Sequence, residues 1–271
     1  MDIHALLRQP VVLPSQPRAV ALLKSALAQA QPSLRRLNQI VGSDPALAAQ
    51  LLQQANGPAY GLQGQVGGIA QALVLVDTRQ LPALAGQVVL GTTSGSVPGV
   101  NLQAFWRYSL NTAKLARSLA GLVHHDQILA YTAGLLHGLG ELAMHLFDAR
   151  RMHDINDLAG PLDIRRGKLE LRLLGFCYGQ VSAGLARQWD LPQTIIDALR
   201  YHSAPFANNV YEPLAGVLHL AAWRARAREA AMGDREMVAN FPGEVGVALG
   251  LDIDMVLQQD PIDWSAQPDD D

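Results

Sequence analysis

The stretch "GLLHGLGELAM", residues 134–144, places a histidine, His137, at the end of an apolar run, among three glycines and four residues before Glu141. The apolar run predicts a buried helix. Gly138 and Gly140 predict that this helix ends there and a turn opens. His137 is then a metal ligand, a catalytic base or a polar residue enclosed in a core, depending on what stands beside it. On an unbroken helix His137, Glu141 and His145 would line one face. With the turn, the expectation is a histidine hydrogen-bonded near a helix end, with Glu141 capping the next helix or pairing outward.

Composition bounds the choices. The 271 residues are 49% hydrophobic and 17% charged, enough apolar material for a sizeable core. Aromatics are few while alanine, leucine and glutamine are many, which predicts packed helices, an all-α class. A formal net charge of −3 gives no general attraction to nucleic acid or to an anionic membrane surface. The single cysteine, Cys177, excludes an intramolecular disulfide and a cysteine-built zinc cluster. The opening "MDIHALLRQPVVLPSQP" lacks a basic segment followed by a long apolar one. Residues 128–147 are long enough to span a bilayer but carry His137, Glu141, His145 and three glycines, so they read as a buried helix pair. A cytoplasmic location is the expectation.

Working outward, Ser33 before "LRRLNQIV" and Asp44-Pro45 before "ALAAQLLQQAN" mark helix starts. Periodicity predicts helices over 17–30, 68–76, 80–90, 101–122, 126–137, 163–175, 179–189, 192–202, 212–232, 242–249 and 253–258. The helix at 212–232 reads as amphipathic, with "WRARARE" its solvated face. "GTTSGSVPGV", 91–100, is the strongest break. It divides the chain into a helical subdomain at 1–95 and a second at 96–210, with C-terminal helices and an acidic tail at 211–271. The tail "QPDDD" reads as disordered, and no internal repeat or convincing strand is visible.

With these helices placed, several motifs together resemble the HDOD family, signalling modules related to the HD-type metal phosphohydrolases. "LPSQP" (13–17), "SDPALAAQLLQQANGPAYG" (43–61) and "IAQALVLVDTRQL" (69–81) look like that family's opening helical subdomain. "FWRYSLNTAKLA" (105–116), "AGLLHGLGEL" (133–142) and "GFCYGQVSAGLARQWDLPQTIIDALRYH" (175–202) look like its HD-like subdomain. The departures are informative. The resemblance implies a histidine on the first long helix, where Tyr108 stands, and a His-Asp pair, where His137 is followed by Gly138. It also implies an aspartate on a later helix, yet "EPLAGVLHLAAWRA" (212–225) has none. Two auxiliary histidine positions hold Tyr178 and Tyr201, although His202 remains, and Glu141 stands where relatives commonly have lysine. A hydrolytic metal site needs several converging carboxylates or imidazoles and an open position for water, and His137 with Gly138 does not supply them.

Other motifs have plainer readings. "HHD" at 124–126 is a loop with Asp126 as the following N-cap. "RRLNQIVGSDPALAAQLL" is no DNA reader, because residues 45–56 contain no lysine or arginine. No phosphate-cradling glycine loop occurs.

The resulting expectation is a non-catalytic regulatory module of HDOD type that requires neither metal nor cofactor. It acts by binding a signalling protein of unknown identity, or a small ligand in a vestigial pocket around Tyr108, His137, Gly138, Glu141, Tyr178, Tyr201 and His202. The three tyrosines are expected to fill the former metal cavity or stack on a ligand. The alternatives are a residual HD-type phosphohydrolase with a rearranged metal site and a nucleotide-binding sensor.

Overall fold

The computed structural model describes the chain apart from residues 78, 88, 92–95, 208–210 and 260–271. The first half carries α1 (Ile3–Arg8), α2 (Pro17–Leu27), α3 (Leu34–Gly42), α4 (Pro45–Ala55), α5 (Ile69–Leu75) and α6 (Leu81–Gln87). It continues with the long α7 (Leu102–Leu122), α8 (Gln127–Leu136), α9 (Leu139–Phe147) and α10 (Ala149–Asn156). After α11 (Arg166–Leu174), α12 (Tyr178–Gln188) and α13 (Gln193–Tyr201) come α14 (Pro213–Glu229), α15 (Asp234–Asn240), α16 (Gly243–Leu249) and α17 (Ile253–Gln258). The architecture is all-α, with two strands of two residues each, β1 (Pro14–Ser15) and β2 (Val89–Leu90).

That parallel pair, Pro14 opposite Val89 and Ser15 opposite Leu90, corrects the expectation of a strandless chain. It also ends the helix expected to run to Leu90. Two residues are too few to display a period of two, so the strands leave no pattern to read. Their position is fixed by a buried carboxylate. Asp44 caps α4 by accepting from Leu47 N at 2.8 Å, and it also accepts from Gln16 N at 2.6 Å and Ser15 Oγ at 3.1 Å.

Local caps set the other helix starts: Ser33 on α3, Asn101 on α7, Asp126 on α8 and Asp148 on α10. The turn predicted at His137–Gly138 is present, with His137 closing α8 and Gly138 opening α9. Gly140 lies inside α9 and is a contact position. A β-carbon there would stand 2.1 Å from the carbonyl oxygen of Tyr178, so only glycine lets α9 seat on α12.

One apolar cluster runs from Leu13 to Val256, built from Leu47, Leu51, Leu115, Leu119, Leu135, Leu199, Leu218 and their neighbours on both sides of 91–100. Of that expected boundary, residues 92–95 lie outside the described residues, as does the tail at 267–271. A second cluster gathers Met144, Met152, Phe176 and Val181 under Leu6 of α1. Three helices, α1, α10 and α15, are additions to the predicted set, each short and with few buried side chains.

Helix α14 corrects a further expectation. It is not amphipathic: Leu214, Val217, Leu218, Leu220, Ala221, Trp223, Ala225 and Ala227 are all buried as it passes through the core. Within "WRARARE", Arg226 is only 7% exposed. Among the described residues no helix is long and apolar enough to cross a membrane.

Candidate functional site

Five helices deliver side chains to one buried centre. Tyr108 comes from the middle of α7, His137 from the end of α8 and Tyr178 from the first position of α12. His202 follows α13 and Arg226 lies on the last turns of α14. Gly138 contributes no group, and the space beside it is taken: a β-carbon there would lie 2.9 Å from the Phe105 ring. An aspartate at that position would require the Phe105 ring to shift.

The hydrogen bonds fix the protonation of each ring. His137 Nδ1 faces the carbonyl of Gly134 at 2.6 Å, which can only accept, so Nδ1 carries the proton. Its Nε2 lone pair therefore accepts from the Tyr108 hydroxyl at 2.7 Å. His202 repeats the pattern. Its Nδ1 donates to Leu199 O at 2.8 Å, and its Nε2 accepts from the Tyr178 hydroxyl at 3.0 Å. The Tyr178 oxygen in turn accepts from Arg226 Nη2 at 2.9 Å. The two imidazoles meet edge to face, 5.6 Å between centroids, and the Arg226 guanidinium lies 5.3 Å from both tyrosine ring centres.

Electrostatics keep every ring neutral. Burial, reinforced by the charge of Arg226, holds His137 down at about 3. Burial and the neighbouring His137 push His202 well below the usual histidine range. Burial raises both Tyr108 and Tyr178. Arg226 is the one fixed charge in this cluster.

These groups do not fit the divalent ion that an HD-type fold implies. Each histidine lone pair that would bind metal receives a phenolic proton instead, and a guanidinium stands among them. Among the described residues no three histidine, cysteine or carboxylate groups lie together in a metal-holding arrangement.

Of the remaining expected site residues, Tyr201 stands apart. Its half-buried ring lies against the Arg200 guanidinium, and no bond joins it to His137 or His202. Tyr201 does not fill the cavity, because it ends α13 facing away from the position His202 occupies one residue later. Glu141 also corrects its expectation. Instead of capping α9 or pairing outward, it is 2% exposed and belongs to a second buried centre. There its Oε1 accepts from Arg166 Nη2 at 2.5 Å and faces His145 Nε2 at 3.2 Å. Arg166 also donates to Glu170 Oε1 at 2.7 Å, Asn156 Oδ1 at 2.8 Å and Ala159 O at 2.5 Å. Glu170 Oε2 caps α12 through Tyr178 N at 2.8 Å. Burial opposes the charge on Glu141, but His145 and Arg166 outweigh it and its carboxyl is held low. Burial and the charge of Glu141 raise Glu170.

Sequence reasoning misses Arg226, Arg166 and Glu170. For Arg226 a signal existed: Ala222 and Trp223, four and three residues earlier, share its face and are apolar. The plainer readings hold their places. His124 and His125 are exposed with Asp126 capping α8 through Ile128 N and Leu129 N. Helix α4 buries Leu47, Leu51, Leu52 and Ala55 on the apolar face expected of it.

Comparison with known proteins gives the same framework. The model of the HDOD domain matches residues 13–205. The MmoQ response regulator of Methylococcus capsulatus shares the fold at 24% identity and a TM-score of 0.68, covering 91% of this chain and 97% of its own. A Campylobacter jejuni virulence factor does so at 20% identity and a TM-score of 0.65, covering 96% and 98%. An uncharacterised Treponema pallidum protein is 25% identical over 205 residues, 74% of this chain; the match spans only 40% of that relative's length.

Proposed function

This chain belongs to the HDOD family, and we propose that it is a non-catalytic regulatory module of bacterial signal transduction, working in the cytoplasm by binding a partner protein. The observation that carries this reading is the capping of both histidine lone pairs by tyrosine hydroxyls, with Arg226 beside them. The helices that would present a hydrolytic centre are kept, while the groups that would bind and activate water are replaced. That a relative in fold is a response regulator agrees with this reading.

The test is metal content and turnover on the purified chain. After growth with manganese, iron and zinc, the expected result is no stoichiometric metal and no hydrolysis of a generic phosphodiester. Stoichiometric metal that disappears in His137→Ala would overturn the reading in favour of a rearranged phosphohydrolase. Affinity capture from the native host addresses the partner. A signalling protein retained at physiological salt is expected, and consistent recovery of nothing counts against a protein-binding output.

A further inference from the structure

Above the tyrosine–histidine centre lies a cavity of about 340 Å³, between the start of α11, the end of α13, α14 and the end of α15. Its floor is buried Tyr178, His202, Trp223 and Arg226, and its rim carries the exposed cations Arg165 and Lys168. No carboxylate lines it among the described residues. Arg165 is paired with Asp163 at 2.7 Å, which leaves Lys168 and Arg226 as charges without an ionic partner at the cavity.

Arg226 is the unusual member. It is buried, permanently charged and bonded only through Nη2 to a neutral hydroxyl, while its Nε hydrogen meets no acceptor. The indole Nε1 of Trp223, which also lines the cavity, is likewise without an acceptor. Arg226 forms no ion pair among the described residues, and the carboxylates that act on it through space, Glu141 and Asp163, do not line the cavity. A buried cation so placed is costly, and unpaired donors add to that cost. The complement that Arg226 and Lys168 lack at the cavity is a group that carries negative charge and accepts hydrogen bonds. Guanidinium and ammonium groups suit the tetrahedral oxygens of a phosphoryl group. The volume is at the lower end of ligand sites, roughly 300–1,000 Å³. Beyond the phosphoryl it leaves room for a ring beside Ile164 and Phe241.

We propose that this cavity binds the phosphoryl group of a small phosphorylated molecule of about nucleoside-monophosphate size, with Arg226 and Lys168 as its charge partners. The site rests on the reading of the centre beneath it as non-catalytic, and it adds Arg165, Lys168, Trp223 and Arg226 to the Tyr178 and His202 of the pocket suggested by the sequence.

The experiment is calorimetric titration of the full chain with AMP, GMP and inorganic phosphate, with adenosine as the uncharged control. Both nucleotides are expected to bind and adenosine is not. Phosphate binding as tightly as AMP would place all recognition in the phosphoryl group; weaker phosphate binding would add a ring contact. Arg226→Met should weaken AMP by roughly tenfold or more, and Lys168→Gln by about threefold. A flat wild-type response overturns the proposal, as does AMP binding unchanged in a folded Arg226→Met. Should that variant fail to fold, Lys168→Gln and the salt dependence decide: binding indifferent to both overturns the site. Release of inorganic phosphate from bound AMP would instead overturn the non-catalytic reading and leave the anion site standing.

Discussion

Two buried arginines lie within this helical array, and their surroundings differ in kind. Arg166 is fully enclosed and donates to two carboxylates, an amide and a carbonyl. Arg226 is nearly as buried, yet its neighbours are two phenols and its nearest bonded atom is a neutral oxygen. The first arrangement is closed: charge meets charge and α9, α10, α11 and α12 are tied through it. The second is open on the side of the cavity. A charge kept for architecture is surrounded by its own partners, whereas one kept for an occupant is left short of them.

Several substitutions test this contrast. Arg166→Met removes the guanidinium that the buried Glu141 and Glu170 share, so it should cost roughly 3–5 kcal/mol. In calorimetry this is a fall of about 10 °C in Tm; an unchanged Tm would show that the network holds nothing together.

The second test is acid dependence, where His137 and Glu170 carry opposite signs. His137 has a folded pKa of about 3, below its ordinary 6.5, so its stabilising contribution is full above 6.5 and is lost as the pH falls. The slope is about 1.4 kcal/mol per pH unit within that window. Glu170 is raised, so its contribution is greatest below 4.5 and is lost as the pH rises towards its folded value. Asp44, raised to about 6 by burial, shares the sign of Glu170. The stability of wild type relative to His137→Gln should therefore grow from pH 4.5 to 6.5, and that relative to Glu170→Gln should shrink. Parallel trends in urea titrations of the two variants would contradict the assignment.

Smaller effects follow at the open centre. Tyr108→Phe leaves Nε2 of His137 without its donor and should cost about 1–2 kcal/mol by chemical denaturation. Arg226→Met replaces an incompletely paired cation by an apolar chain of similar length. Its effect on stability should be near zero or favourable, a sharp contrast with the same substitution at Arg166. A loss as large as that of Arg166→Met would show that Arg226 is structural after all.

What could be read from the sequence is what lies close in the chain. Ser33, Asp44-Pro45 and Asp126 announce their helices because a cap acts within three residues. The turn at His137–Gly138 and the missing ligand set are local too. The errors lie where the partner is distant. Glu141 finds Arg166 on another helix, and Arg226 finds Tyr178 and Tyr108 far back in the chain, so the charges of "WRARARE" outweigh the one local sign of enclosure, the apolar Ala222 and Trp223 on the same face. Helix α10, "ARRMHDIN", buries only Met152 and Ile155 and offers too little periodicity to detect. Tyr201 and Tyr178 look alike in sequence, and only the helix geometry separates them.

Tyr178 belongs to both arginine centres at once. Its amide is held by Glu170 and its carbonyl sits against Gly140, while its hydroxyl joins Arg226 to His202. The backbone is thus held by one arginine centre and the ring by the other. A single residue joins the two centres, its amide moored by Glu170 and its phenol shared by Arg226 and His202.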